Sequence, residues 1–105
     1  MKTIPLAEFM ATWDRRATVI DVREPDEYAR GHVPGAALIP LGELTRRLPE
    51  VPKSDTVYVI CASGNRSNQG AQTLSSFGVN AISVAEGTTG WTRRRGDLAT
   101  GLTRG

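Results

Sequence analysis

The run Thr56-Val57-Tyr58-Val59-Ile60 is apolar or β-branched almost throughout and ends at Cys61, the single cysteine of the chain. A strand that is apolar on both sides needs cover on both faces, which restricts the fold to a mainly parallel sheet between helical layers. After Cys61 come Ala62, Ser63, Gly64 and Asn65, which are small or turn-tolerant, and then Arg66. From Ser67 to Phe77 the spacing predicts a helix with Ala71, Leu74 and Phe77 on its buried side, and Gly78 is placed to end it. A buried strand, a thiol at its carboxyl end and a helix N-terminus just beyond are the parts of an anion-binding nucleophile site.

The remainder alternates in the same way. Leu6, Phe9, Met10 and Trp13 recur at helical spacing behind a short extended start at Ile4 and Pro5. Ala17 to Val22 is a β-branched run that predicts a buried strand, and Glu24 to Arg30 a short helix with proline and acids in its first turn and Gly31 after its end. Gly31 to Ala36 is a turn; Ala37 to Ile39 is a short strand stopped by Pro40. Leu41, Leu44 and Leu48 share one helical face, Pro49 to Asp55 (with Pro52 and Ser54) reads as a loop, and Ala81 to Val84 is the last strand. Gly87 to Trp91 opens a final helix carrying Arg93, Arg94 and Arg95, and residues 96–105 read as a flexible polar tail. The expectation is one α/β domain over residues 1–105, with a mainly parallel sheet of about five strands and helices on both faces. Ligands of such sheets sit outside the carboxyl ends of the strands, where Cys61 lies and where Asp21 and Arg23 end an earlier strand.

Composition narrows the chemistry. The net charge of +2 and an aromatic share of 6% offer no surface of interleaved basic and stacking residues, so nucleic acid is not an expected partner. One cysteine and one histidine, His32, exclude a disulfide framework and any multi-cysteine or histidine-rich metal site. No apolar run reaches the roughly 18 residues of a membrane span, and no apolar core follows Met1-Lys2-Thr3-Ile4-Pro5 as in a leader, so a cytoplasmic, reducing location is expected.

A free thiol, with an ordinary pKa of about 8.5, becomes nucleophilic when a helix N-terminus or a cation brings that value down to roughly 3.5–7.5. The predicted helix offers the first and Arg66 the second, while Gly64 and Asn65 are the residues most able to curl the loop so that its N–H groups converge. A lone cysteine also suits the role of a small buried hydrophobe, and the order strand, loop, arginine, helix is what argues against that plain role. Asp21 and Arg23 read first as a charge pair tying loops together and second as substrate contacts, with Glu27 as a local partner for Arg23. His32 reads as a structural residue of its turn, Trp13 and Trp91 as packing, and Arg93 to Arg95 as a solvated face.

Four motifs then carry a resemblance. Cys61-x-x-Gly64-Asn65-Arg66-Ser67 resembles the active-site loop of the rhodanese family of single-domain sulfurtransferases. Val19 to Tyr28, Gly31 to Ala36 with Ile39-Pro40, and Gly87-Thr88-x-Gly90-Trp91 resemble the family's other signatures, in the family's order, from about Val19 to Trp91. The resemblance implies a rhodanese-like three-layer domain and a sulfurtransferase that moves sulfane sulfur from a donor such as thiosulfate to a thiol or cyanide through a persulfide on Cys61. It implies that the backbone of Ala62, Ser63, Gly64, Asn65, Arg66 and Ser67 binds the small anionic donor, that Arg66 neutralises it, and that Asp21 and Arg23 support the site. It implies no metal or organic cofactor, since the cysteine itself carries the sulfur, and it admits a sulfur-relay protein as partner. Two departures stand out: Ala62 occupies a position where many members carry arginine or another larger residue, and Glu86 replaces the first of a glycine pair. Two competing readings are a cysteine-dependent phosphatase or arsenate reductase on the same fold, and a non-catalytic rhodanese-like interaction module. The first expects five residues between cysteine and arginine where this chain has four; the second usually lacks the cysteine.

Overall fold

The computed structural model describes residues 2–53 and 55–105; Met1 and Ser54, the latter assigned above to a loop, lie outside the described residues. The chain runs β1 (Lys2–Ile4), α1 (Leu6–Thr12), β2 (Val19–Asp21), α2 (Pro25–Arg30), β3 (Ala37–Leu38), two 3-10 turns (Leu41–Glu43 and Leu48–Glu50), β4 (Val57–Ile60), α3 (Asn65–Ser76), β5 (Ala81–Val84) and α4 (Gly87–Arg93). The five strands form one sheet in the order β1-β5-β4-β2-β3, with every neighbouring pair parallel. The predicted α/β sandwich is therefore present, with the strand that ends at Cys61 at its centre.

Side-chain alternation sorts the core into two layers. Val57, Val59 and Cys61 face the same way as Ile20, Val22 and Ala81, and pack under α3 against Ala71 and Leu74. Tyr58 and Ile60 face the other way with Val19, Ile82 and Val84, toward Phe9 of α1, Tyr28 of α2 and Trp91 of α4. The register sets Val59 of β4 beside both Ile20 and Ser83. Ser83 therefore shares the α3 face with Cys61, and Asp21 shares the opposite face with Val19.

Three expectations change. Leu41, Leu44 and Leu48 do turn inward, but on two 3-10 turns rather than one α-helix. Pro40 and Pro49 bracket the segment, and Pro49 has no N–H to donate to Thr45, so an α-helical ladder cannot run through. The loop expected from Pro49 starts inside the second turn, ending at Glu50. The polar tail is tied down rather than flexible: His32 and Ala99 exchange backbone hydrogen bonds at 2.9 Å each, Gly101 N–H donates to Ala29 O at 2.8 Å and Gly35 N–H to Arg104 O at 2.7 Å. Its polar and glycine-containing composition says nothing about its backbone, which finds partners along α2 and the turn after it.

Candidate functional site

Cys61 follows β4 directly and is almost fully buried, at 1% exposed. The helix expected from Ser67 begins two residues earlier, at Asn65, because Gly64 takes φ +114° and turns the chain straight into α3. Gly64 N–H points back at the cysteine, 3.1 Å from Sγ. Burial pushes the Cys61 thiol up, but the Ser67 hydroxyl and the N–H groups of Ser67, Gly64 and Ser63 favour the thiolate, and the net shift is downward. Ser63, Gly64 and Ser67 face the sulfur, the side chain of Asn65 is exposed, and Ala62 lines a neighbouring groove.

The Ser67 hydroxyl has one proton and more than one taker. Its Oγ lies 3.0 Å from Gly64 O, to which it donates, and 2.8 Å from Ser83 Oγ. Ser83 is fully buried on β5, and with its hydroxyl donating to Ser67 the Ser67 proton stays free to turn from Gly64 O to a Cys61 thiolate. Sequence reasoning missed Ser83, although alternation along β5 from Ala81 would have placed it on the Cys61 face. In an ultraviolet titration of the thiolate, which a single cysteine makes unambiguous, we expect a midpoint below that of an ordinary cysteine, moving upward in Ser67→Ala; an unperturbed midpoint would show that burial outweighs these donors.

Arg66 departs most from expectation. From the first turn of α3 its guanidinium grips the Glu27 carboxylate through two bonds, Nη1 to Oε1 at 2.7 Å and Nη2 to Oε2 at 2.9 Å. Glu27 also accepts the backbone N–H of Glu24 at 3.0 Å, closing the capping box of α2. The Arg66 bonds hold the Glu27 carboxyl down to about 2 against the opposing effect of burial. The cation expected to meet an anionic donor is therefore already matched, a pairing across 39 positions that no local spacing announced.

Asp21 and Arg23 form a buried ion pair. They are 0% and 6% exposed, and Arg23 Nη2 and Nε reach the Asp21 carboxylate at 2.8 and 3.0 Å. Arg23 also donates to Gly31 O at 2.9 Å and to Glu27 O at 3.3 Å, so its contact with Glu27 is to the backbone, not the expected carboxylate. It thereby satisfies carbonyls at the carboxyl end of α2. His32 is buried with its ring stacked on Tyr28, centroids 3.6 Å apart, and Nδ1 donates to Tyr28 O at 2.8 Å. A backbone carbonyl only accepts, so Nδ1 carries the proton. Arg93, Arg94 and Arg95 are exposed, with Arg94 3.8 Å from Glu86.

The start of α4 closes the site from the side. Glu86 and Gly87 both have positive φ, +64° and +55°. This turn brings Thr88 N–H to Cys61 O at 2.8 Å and Thr89 N–H to Ala62 O at 2.9 Å. With those two carbonyls drawn toward α4, the N–H groups of the loop are left to face the sulfur. Beyond Ala62 opens a groove of about 430 Å³ between α2 and α4, walled by Arg23, Glu27, Arg30, Thr88, Thr89 and Thr92, with Leu98 of the tail.

This arrangement, a parallel sheet with one thiol cradled by N–H groups at the end of its central strand, matches a known class. The sequence model of the rhodanese-like domain fits residues 6–94. The chain belongs to the rhodanese family. Among its relatives, the thiosulfate sulfurtransferase PspE of Escherichia coli is 44% identical over 70 residues, covering 65% of this chain and 67% of that protein. YrkF of Bacillus subtilis, named as a proposed sulfur carrier protein, is 41% identical over 80 residues, covering 75% of this chain; the chain spans only 43% of YrkF. The crystal structure of a rhodanese-related protein from Thermoplasma volcanium superposes with a TM-score of 0.87 at 30% identity, covering 98% of this chain and all of that one. Among the described residues no helix is long and apolar enough to cross a membrane.

Proposed function

We propose that this protein is a sulfurtransferase that carries sulfane sulfur as a persulfide on Cys61. The observation that carries the reading is the Gly64 N–H aimed at Sγ at the head of α3, in a loop whose other donors also favour the thiolate. The thiolate attacks the outer sulfur of a donor such as thiosulfate; the new S–S bond forms at Sγ as the donor's S–S bond breaks, and sulfite leaves with the bonding pair. A second thiolate, or cyanide, then attacks the outer sulfur of the persulfide and regenerates Cys61. No second cysteine exists in these 105 residues, so the acceptor lies outside them, and the names of PspE and YrkF support a small donor and a sulfur-relay protein respectively. Ser63, Gly64 and Ser67 stabilise the charge on sulfur, Ala62 borders the donor, and Asp21 with Arg23 holds the frame. The cytoplasm is the location we assign, because a lone thiol stays reduced and free to be loaded in a reducing compartment.

A phosphatase reading fits less well, because the Arg66 guanidinium is held by Glu27 rather than turned into the loop. An interaction module without catalysis has no use for a thiol with these donors. The test is intact-protein mass after incubation with thiosulfate, mercaptopyruvate and glutathione persulfide. A gain of one sulfur atom that cyanide removes as thiocyanate, absent in Cys61→Ser, is the expected result. An unchanged mass with every donor, or aryl phosphate hydrolysis lost in Cys61→Ser, would overturn it.

A further inference from the structure

Arg23, Arg30, Arg46, Arg47 and Arg66 each meet a carboxylate within 3.2 Å. The run Arg93, Arg94 and Arg95 at the end of α4 does not. All three are exposed; among the described residues Arg93 and Arg95 have no ion-pair partner, and Arg94 reaches only Glu86, at 3.8 Å. Asp97 follows closely, but it pairs with none of them, and its backbone carbonyl accepts the Trp91 Nε1–H at 2.7 Å.

The backbone sets this run apart from an ordinary solvated face. α4 ends in a turn in which Arg95 N–H donates to Thr92 O at 3.0 Å and Gly96 N–H to Trp91 O at 2.9 Å. Such a turn needs one left-handed residue, for which glycine is the unstrained choice. Here that residue is Arg95, with φ +60°. A cation in the last turn of a helix is favourable, and Arg93 already supplies one. That effect does not call for a strained arginine beyond the helix end. Strain kept at an exposed position points to a use for the side chain.

From this we infer that Arg93, Arg94 and Arg95 dock an acidic protein partner, which takes the sulfur from Cys61 on a thiol of its own. The inference rests on the sulfur-transfer reading above. The run stands at the rim of the groove beside Ala62, because Thr88, Thr89 and Thr92 of the same helix form part of its wall. One length of α4, about 10 Å for seven residues, separates the two ends. Inside the groove Arg23, Glu27 and Arg30 are already matched by Asp21, Arg66 and Asp26, so the attraction comes from the rim. Guanidinium groups bind carboxylates through paired bonds, which suits a surface rich in Asp and Glu. Trp91 is buried, and residues 92–97 include no aromatic or aliphatic side chain to stack on bases or enter a bilayer.

The step balances without a further reagent. The partner's thiolate attacks the outer sulfur of Cys61–S–SH; a new S–S bond forms on the partner, the Sγ–S bond breaks, and Cys61 leaves as the thiolate with the electron pair.

The probes are two labelled peptides that differ only in carrying a run of glutamates or of serines. Each ends in a cysteine after a spacer of about four residues, long enough when extended to cross the helix length. Binding to the full chain is read by fluorescence anisotropy. At low salt the glutamate peptide should bind at least about tenfold tighter than the serine peptide, and about 0.5 M salt should remove most of that margin. Arg93→Gln combined with Arg95→Gly should weaken the glutamate peptide about fivefold and leave the serine peptide unchanged. Arg46→Gln, which removes a cation elsewhere, should change neither by more than about twofold. Arg95→Gly alone should also raise the melting temperature by about 2–4 °C by relieving the left-handed strain. Sulfur transfer from the loaded protein, read by intact mass, should follow the same variants; comparing variant with wild type on one peptide cancels differences in thiol reactivity. Equal binding of the two peptides would overturn the inference while leaving sulfur transfer intact. So would a fall in melting temperature in Arg95→Gly with binding unchanged, or tighter binding of single-stranded RNA or phosphatidylserine vesicles that the double variant abolishes. Failure of Cys61 to load from glutathione persulfide and from thiosulfate would overturn sulfur transfer itself, and with it the partner's role as acceptor.

Discussion

Asp21→Ala should lower the melting temperature by roughly 12–20 °C. Asp21 is completely buried and takes three bonds from the Arg23 side chain, which is itself 6% exposed. Removing the carboxylate strands a guanidinium inside the fold, and breaking a buried pair from one side costs about 3–5 kcal/mol. For a domain near 100 residues each kcal/mol moves the midpoint by about 4 °C at the low end of the usual range. The disturbance reaches further than the pair, because the same guanidinium holds Gly31 O and Glu27 O at the end of α2. Thermal melts followed by circular dichroism check this. A fall of less than about 4 °C would mean that water reaches Arg23 and relaxes the stranded charge.

Gly87→Ala should cut the rate of persulfide loading about a hundredfold while the protein still folds. A Cβ at this position would sit 2.3 Å from Cys61 O and 2.6 Å from Ala62 O. Both contacts are with backbone, so the loop itself must move, and it is the loop that aims N–H groups at the sulfur. Residue 87 also has φ +55°, which costs a residue other than glycine about 1–2 kcal/mol. Gly78→Ala separates the two effects: its φ is +85° but nothing lies within 4 Å of the added carbon. That variant should lose comparable stability and load sulfur normally. Equal loading rates in the two variants would show that the contact between α4 and the loop does not position the cysteine.

The local parts of the fold were legible wherever one short segment held the whole signal. The apolar run before Cys61 announced a doubly covered strand, and the four motifs placed the loop, the turn around His32 and the start of α4. Leu41, Leu44 and Leu48 show how a correct pattern can mislead: they do point inward, but the prolines on either side deny the segment an α-helical ladder. The tail shows the opposite error, since its backbone hydrogen bonds leave no trace in composition.

The candidate site divides along the same line. Cys61, Gly64 and Ser67 could be singled out because a thiol, a left-handed glycine and a helix start within a few residues interact through local geometry. The pairing of Arg66 could not be read, because its partner is Glu27 on another helix, and an arginine beside a cysteine looks the same in sequence whether its charge is free or matched. Alternation along β5 could place Ser83 on the Cys61 face but not its bond to Ser67, and the bonds from Thr88 and Thr89 N–H to Cys61 O and Ala62 O depend on the turn at Glu86 and Gly87. By itself, then, the chain determined that there is one thiol, where along a strand–loop–helix unit it sits, and that a parallel sheet must surround it. Only the tertiary structure decided which charges near that thiol remain available, because electrostatic pairing depends on distances through space that alternation and spacing along one segment do not encode.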